Sequence, residues 1–162
     1  MFRSFTAQEC SSVVKARYDR LELVKRAKNV VAELVAAFKF DDPNDNTSDL
    51  AFGTPDEFAT VTVTTAIGDG RMRLEFLASE SGEVRGRYVI ERDDMRKEGN
   101  RRWTPVWAFR FDQAGTMFFD DGSRLTFMPA GQHERGKDRI TMLGLSIVRS
   151  MLSQGQTCGA PG

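Results

Sequence analysis

FATVTVTTAIGDGRMRLEFLASESGEVRGRYVIERD, residues 58–93, opens the stretch that decides the fold, which continues to Met128. Ala59, Val61, Val63 and Ile67 alternate with Thr60, Thr62 and Thr64, the period of a half-buried strand. Gly68-Asp69 suits a two-residue turn, since both residue types tolerate positive φ. That turn sets Val63 opposite Leu74 and Val61 opposite Phe76, with Thr62 against Glu75 and Thr64 against Arg73 on the other face. A slip of one residue would set Val63 against a charge, so the register is strongly specified.

The next pairing carries its own check. With Ala78 facing Val84 across the loop Ser79 to Glu83, Phe76 meets Gly86, Leu74 meets Tyr88 and Met72 meets Ile90. On the other face Glu75 then meets Arg87 and Arg71 meets Glu91, two opposite-charge pairs contributing roughly 0.2–1 kcal/mol each. Beyond a charged loop, Asp93 to Asn100, the residues Trp103, Trp107, Phe109 and Phe111 share one parity. Pairing Ile90 with Trp103 sets Trp107 over Gly86. Asp112-Gln113-Ala114-Gly115 turns the chain again, and Asp121-Gly122 is a hairpin signal that pairs Phe118 with Leu125, with Phe127 on the same face. One side of the sheet thus collects the aromatic residues. The other carries Arg71, Arg73, Arg85, Arg87 and Arg110, with Leu77, Val89, Val106, Met117 and Phe119 among them.

Two amphipathic helices flank the meander. Thr6 to Lys39 begins with a capping box, Thr6 with Glu9, and a hydrophobic staple between Phe5 and Cys10. Its apolar stripe is Val14, Leu21, Val24, Val31, Leu34, Val35 and Phe38. Such a helix is about 50 Å long, against about 30 Å for a nine-residue strand. It must overhang its sheet, break near Lys28-Asn29, or pack on a second subunit. Asp138 to Leu152 forms the shorter second helix, with Ile140, Leu143, Ile147 and Met151 on one face. Residues 41–57 form an acidic loop, which Leu50, Ala51 and Phe52 can pin to the body, and the glycine-rich residues 155–162 read as a disordered tail. The predicted class is α+β: an antiparallel meander sheet of five or six strands, a long N-terminal helix on its aromatic face and a shorter C-terminal helix, in one domain over residues 1–154. In this order of elements the chain resembles the cystatin-like cones, in which a curved sheet wraps a helix. The likeness implies a fold and no activity.

Composition narrows the function. Twenty-three basic residues balance 23 acidic ones, so no global charge argues for nucleic acid or a membrane surface. No apolar run is long enough to span a bilayer. No secretory pattern is visible, and Cys10 and Cys158 form neither a disulfide framework nor a metal-ligand spacing, so a reduced, cytoplasmic protein is expected. Asp42, Asn44 and Asn46 imitate the start of a calcium loop, but Thr47 stands where its glycine is required and Gly53 where its glutamate is required. His133, the sole histidine, has no nucleophile or second histidine in its vicinity. No catalytic group, cofactor or metal is therefore expected. On the arginine-bearing face, Arg73 and Arg85 are left without a cross-strand carboxylate and are the candidate phosphate ligands, although the face as a whole neutralises itself and nucleic acid is not the expected partner. Two functions follow. The first is a non-catalytic interaction or assembly module acting as a homodimer. The second is a cone-like domain for a small apolar ligand, with enzymatic activity left open, whose pocket between sheet and helix is lined by Tyr88, Trp103, Trp107 and Phe109.

Overall fold

The computed structural model describes residues 6–38, 50–66, 68–79, 82–94, 102–120, 122–126 and 134–153. His133, Cys158, Phe5 with its staple, the calcium-like run 42–47, most of the loop 93–100, Phe127 and the tail 155–162 lie outside them. Helix α1 (Ala7–Ala37) precedes strands β1 (Ala51–Phe52), β2 (Val61–Thr65), β3 (Gly68–Ala78), β4 (Val84–Asp93), β5 (Trp103–Phe111), β6 (Thr116–Phe118) and β7 (Arg124–Thr126), and helix α2 (Glu134–Ser153) follows. The strands form one antiparallel sheet in chain order, β1 to β7. The sheet has seven strands rather than five or six. The additional one is β1, where Ala51 and Phe52 pair with Thr64 and Val63 and so fasten the end of the acidic segment to the sheet edge.

The central pairing is as the sequence dictates. Phe76 faces Gly86, Leu74 faces Tyr88, Met72 faces Ile90, Glu75 faces Arg87 and Arg71 faces Glu91. The pairings on either side are displaced. Val61 lies opposite Met72 and Val63 opposite Gly70, four residues from the expected register, because β2 ends at Thr65 and β3 already begins at Gly68. Ile90 lies opposite Trp107 and Gly86 opposite Phe111, again a displacement of four. A ring does close over Gly86, but it is that of Phe111, which occupies the space a β-carbon would need. A bulge at Ile90/Glu91 then inverts the parity of the first part of β5, so that Trp103 stands on the arginine-bearing face.

Three hairpins close with the same five-residue turn. Ser79 N–H donates to the Glu83 carbonyl, Asp112 N–H to that of Thr116 and Phe119 N–H to that of Ser123, each at 2.9–3.1 Å. The fourth residue of each turn, Gly82, Gly115 or Gly122, has φ between 78° and 85°, the left-handed position of a bulged turn. The last turn therefore spans Phe119 to Ser123 instead of the two residues Asp121-Gly122. It pairs Met117 with Leu125 and Phe118 with Arg124. Met117 is consequently buried in the core and Phe118 lies among arginines on the opposite face, the reverse of the expected assignment. Phe119 is also turned inward, stacked on Trp107 with centroids 5.9 Å apart.

The aromatic face of the sheet packs under both helices in one continuous core that joins Leu23, Val31 and Leu34 of α1, Tyr88, Ile90, Phe109 and Phe111 of the sheet, and Ile140, Leu143 and Ile147 of α2. The stripe that α1 buries is Leu23, Ala27, Val30, Val31 and Leu34. Val14 and Leu21, expected on it, are exposed. The helices meet where Phe38, at the end of α1, packs on Gly144 of α2. A β-carbon at position 144 would run into the Phe38 ring. Gly144→Ala should therefore lower stability by about 1–2 kcal/mol, overpacking outweighing the better helix propensity of alanine. A denaturant titration in which the variant is as stable as the parent would contradict this contact.

Candidate functional site

The N-terminal half of α1 is largely exposed, with Ala16 alone among its apolar residues partly buried against the core. The capping box forms as expected, with Glu9 N–H donating to Thr6 Oγ1 and Thr6 N–H donating to the Glu9 carboxylate. The helix is unbroken at Lys28-Asn29, yet no residue from 7 to 22 is buried. At 1.5 Å per residue this is about 24 Å of helix with no buried side chain. Its surface is not that of a solvated helix, for Val13, Val14, Tyr18 and Leu21 are each 54–66% exposed. Of these, Val14, Tyr18 and Leu21 follow the i, i+4, i+7 spacing of one face. That face points away from the core stripe of Leu23, Ala27 and Leu34.

Between this half-helix and the free end of β3 lies an open cleft of about 610 Å³. Leu74 and Phe76 supply its sheet wall, Leu21 and Val24 its helix wall, and Phe58 its rim. The four-residue displacement of β2 creates the cleft, because β2 pairs with β3 only as far as Met72 and leaves Leu74 and Phe76 without a neighbour on that side. Phe58 is held out at 60% exposure by a turn of the same design as the three hairpin turns. Asp56 N–H donates to the Thr60 carbonyl and Ala59 N–H to the Asp56 carbonyl, while Asp56 Oδ1 accepts from the N–H groups of Phe58 and Thr60. Here the left-handed position is held by Ala59, at φ 59°. The Tyr88 hydroxyl donates to the Ala59 carbonyl at 2.9 Å and fixes the turn from beneath. Burial, with the Asp56 charge second, pushes the Tyr88 hydroxyl well above the ordinary tyrosine range, so it remains a donor. The sequence gives no warning of this turn, since alanine carries no turn signal.

The cleft is rimmed by charge of one dominant sign. Arg17, Arg20 and Arg73 line it, with Glu57 as the acidic member. Arg20 lies over the Phe76 ring, 5.0 Å from its centroid. Among the described residues Arg17 and Arg20 enter no ion pair.

The residues expected to line a pocket are only partly brought together. Tyr88, Trp107 and Phe109 are neighbours, with ring centroids 5.6–5.7 Å apart. Tyr88 and Phe109 are fully buried and fill the core. Trp107 instead lines a smaller groove of about 350 Å³ between α2 and strands β5–β7, with Phe119, Leu125 and Met142. Trp103 is on the other face, 4.5 Å from the Arg71 guanidinium. The candidate phosphate ligands both have carboxylate partners. Arg73 reaches Glu75 at 2.8 Å and Glu91 at 3.2 Å, and Arg85 reaches Glu83 at 3.0 Å. All three lie where cross-strand pairing alone does not look, Glu83 in the turn just before β4, Glu75 two residues along β3 and Glu91 diagonally across.

Glu91 is the buried carboxylate of that face, gripped by Arg71 and Arg73. Burial works against its charge, but the hydrogen bonds from the two guanidinium groups prevail and hold its pKa below the usual glutamate value. A carboxylate depressed in the folded state contributes stability that is present above the unfolded pKa and lost as pH falls through the folded one. Glu91→Gln should cost about 1–2 kcal/mol at neutral pH, the arginines being partly solvated. It should also flatten the loss of stability below the ordinary glutamate range. Parallel pH–stability curves for the two proteins would refute the assignment.

No family model, curated protein or solved structure matches the chain. Among the described residues no group of three metal-ligating side chains is assembled, and no helix is long and apolar enough to cross a membrane. Cys10 is exposed on the N-terminal half of α1.

The Ala59 turn generates a test of its own. A left-handed L-residue costs roughly 1–2 kcal/mol, part of which glycine would return in chain entropy. Ala59→Gly should raise stability by up to about 1 kcal/mol, and Ala59→Val should lower it, both read from thermal or denaturant midpoints. The opposite order would mean that the turn is not the one described.

Proposed function

We propose that the protein is an assembly module that acts as a homodimer through the N-terminal half of α1. The observation that carries this reading is the exposed apolar face Val14, Tyr18 and Leu21, on a helix segment of which Ala16 is the one apolar residue packed on the core. Leaving side chains of this kind in water forfeits roughly 1.5–3 kcal/mol each relative to burial. Two-fold association is the commonest way to cover such a face. The arginine-bearing sheet face is a poorer candidate, because Met117 and Phe119 point inward and Val89 is already buried, leaving Leu77 as its exposed large apolar residue.

An interface of this composition is held by apolar burial, so salt should not disperse it. Sedimentation at micromolar concentration should give a dimer at both low and molar salt. Val14→Glu/Tyr18→Glu, two exposed positions outside the core, should give a folded monomer with unchanged helix content. A parent protein that sediments as a monomer under both conditions would overturn the reading. So would a double variant that remains a dimer.

A further inference from the structure

We infer that the cleft between α1 and the end of β3 is a binding site for an amphipathic anion, a hydrocarbon chain carrying one carboxylate head. The inference shares only Leu21 with the proposed dimer face, for the cleft opens on the side of α1 that carries Arg17, Arg20 and Val24, whereas Val14 and Tyr18 lie outside it.

Its walls are apolar where a chain would lie. Leu74 and Phe76 are left uncovered by the short β2, and Leu21 and Phe58 face them at 57% and 60% exposure. Phe58 is not merely at the surface by default. It is set there by an alanine in the left-handed region, a costly conformation that the Tyr88 hydroxyl and the Asp56 carboxylate hold in place. The volume, about 610 Å³, is within the range of small-molecule sites.

The head group is selected by the rim. Three guanidinium groups and one carboxylate, Glu57, surround the apolar walls. Arg73 is engaged by Glu75 and Glu91, but Arg17 and Arg20 have no ion-pair partner among the described residues. Arg20 is fixed over Phe76 by its cation–π contact, which leaves its N–H groups at the border between apolar wall and solvent. Planar guanidinium donors at such a border match a carboxylate in geometry and charge. A neutral lipid would gain the walls without the rim, and a small acid such as acetate the rim without the walls.

Calorimetric titration of the full chain with decanoate, below its micellar concentration, tests this. Decanoate should bind saturably, one per chain. Decan-1-ol should bind about tenfold or more weakly, and acetate should give no saturable heat. Arg17→Gln/Arg20→Gln should weaken decanoate by about tenfold, the sum of two exposed charge contacts somewhat above the middle of their usual contribution. Phe58→Ser, at an exposed position, should weaken decanoate and decanol alike. The Val14→Glu/Tyr18→Glu protein should bind decanoate as the parent does, whether or not the parent is a dimer. The inference is overturned if decanoate does not saturate, if decanol binds as tightly, or if the two arginine changes have no effect. It is equally overturned if only the Val14→Glu/Tyr18→Glu protein binds, which would make a second copy of the chain the occupant of the cleft.

Discussion

Everything else in the structure hangs on the pairing of β3 with β4. Nine consecutive residues of β3, Gly70 to Ala78, face nine of β4 without a bulge. This pairing satisfies both faces of the sheet at once. On one side it stacks Met72, Leu74 and Phe76 against Ile90, Tyr88 and Gly86, and on the other it sets Arg71 against Glu91 and Glu75 against Arg87. A shift of one residue would turn apolar side chains to water and charges into the core. A shift of two would preserve the faces and in one direction still offer Arg71 to Asp93 and Arg73 to Glu91, but it would take Gly82 out of the fourth position of the turn that joins the strands. Register is fixed here by two independent constraints, and the helices dock on the surface it defines.

The neighbouring pairings show what one constraint alone can do. For β2 against β3 and for β4 against β5, the apolar pattern selects a face but not a partner, and in both cases the real register is four residues from the expected one. An even displacement keeps parity, so Val61, Val63, Trp107, Phe109 and Phe111 stand on the expected face against other neighbours. Parity itself fails only where the backbone does something local. The bulge at Ile90/Glu91 turns Trp103 over to Arg71, and the five-residue turn at Phe119–Ser123 exchanges Met117 and Phe118 between faces. In the second case the position of the glycine is the deciding signal. Gly122 is the fourth residue of a bulged turn, as are Gly82 and Gly115, and that shared spacing was available in the sequence.

The candidate site was less legible than the fold because it is made by what stops short. The cleft exists since β2 ends before β3 does, and hydropathy patterns mark where strands run, not how far their partners follow. Its rim depends on Ala59 adopting the conformation that glycine holds in the three sister turns, and no composition rule flags an alanine there. The ion pairs of the arginine face are hard to read from sequence for a related reason. Direct cross-strand neighbours do not reveal that Glu83 reaches Arg85 from the turn before β4 or that Glu91 serves both Arg71 and Arg73. The true register even sets Arg87 directly opposite Arg110, a like-charge pair that is relieved only because Arg87 turns to Glu75 and Arg110 to Asp120.

The length of α1 was legible, and its consequence is the functional question. Sixteen residues of helix without a buried side chain are marginal as a free-standing helix in water, since nucleation is costly and a short segment has few hydrogen bonds to offset it. Two features in the chain extend it nonetheless. The segment grows from a docked half already nucleated by Leu23, Ala27 and Val30, and it ends in a full capping box that satisfies backbone donors at its tip. Neither feature requires the side chains between them to be apolar, and arginine, lysine or glutamate would serve helix propensity as well and solubility better. Valine at 13 and 14 and tyrosine at 18 are inferior helix formers by that measure. The exposure of Val14 and Tyr18 on the unpartnered face is a cost in the isolated chain, and contact with something else is the physical role in which that composition becomes favourable.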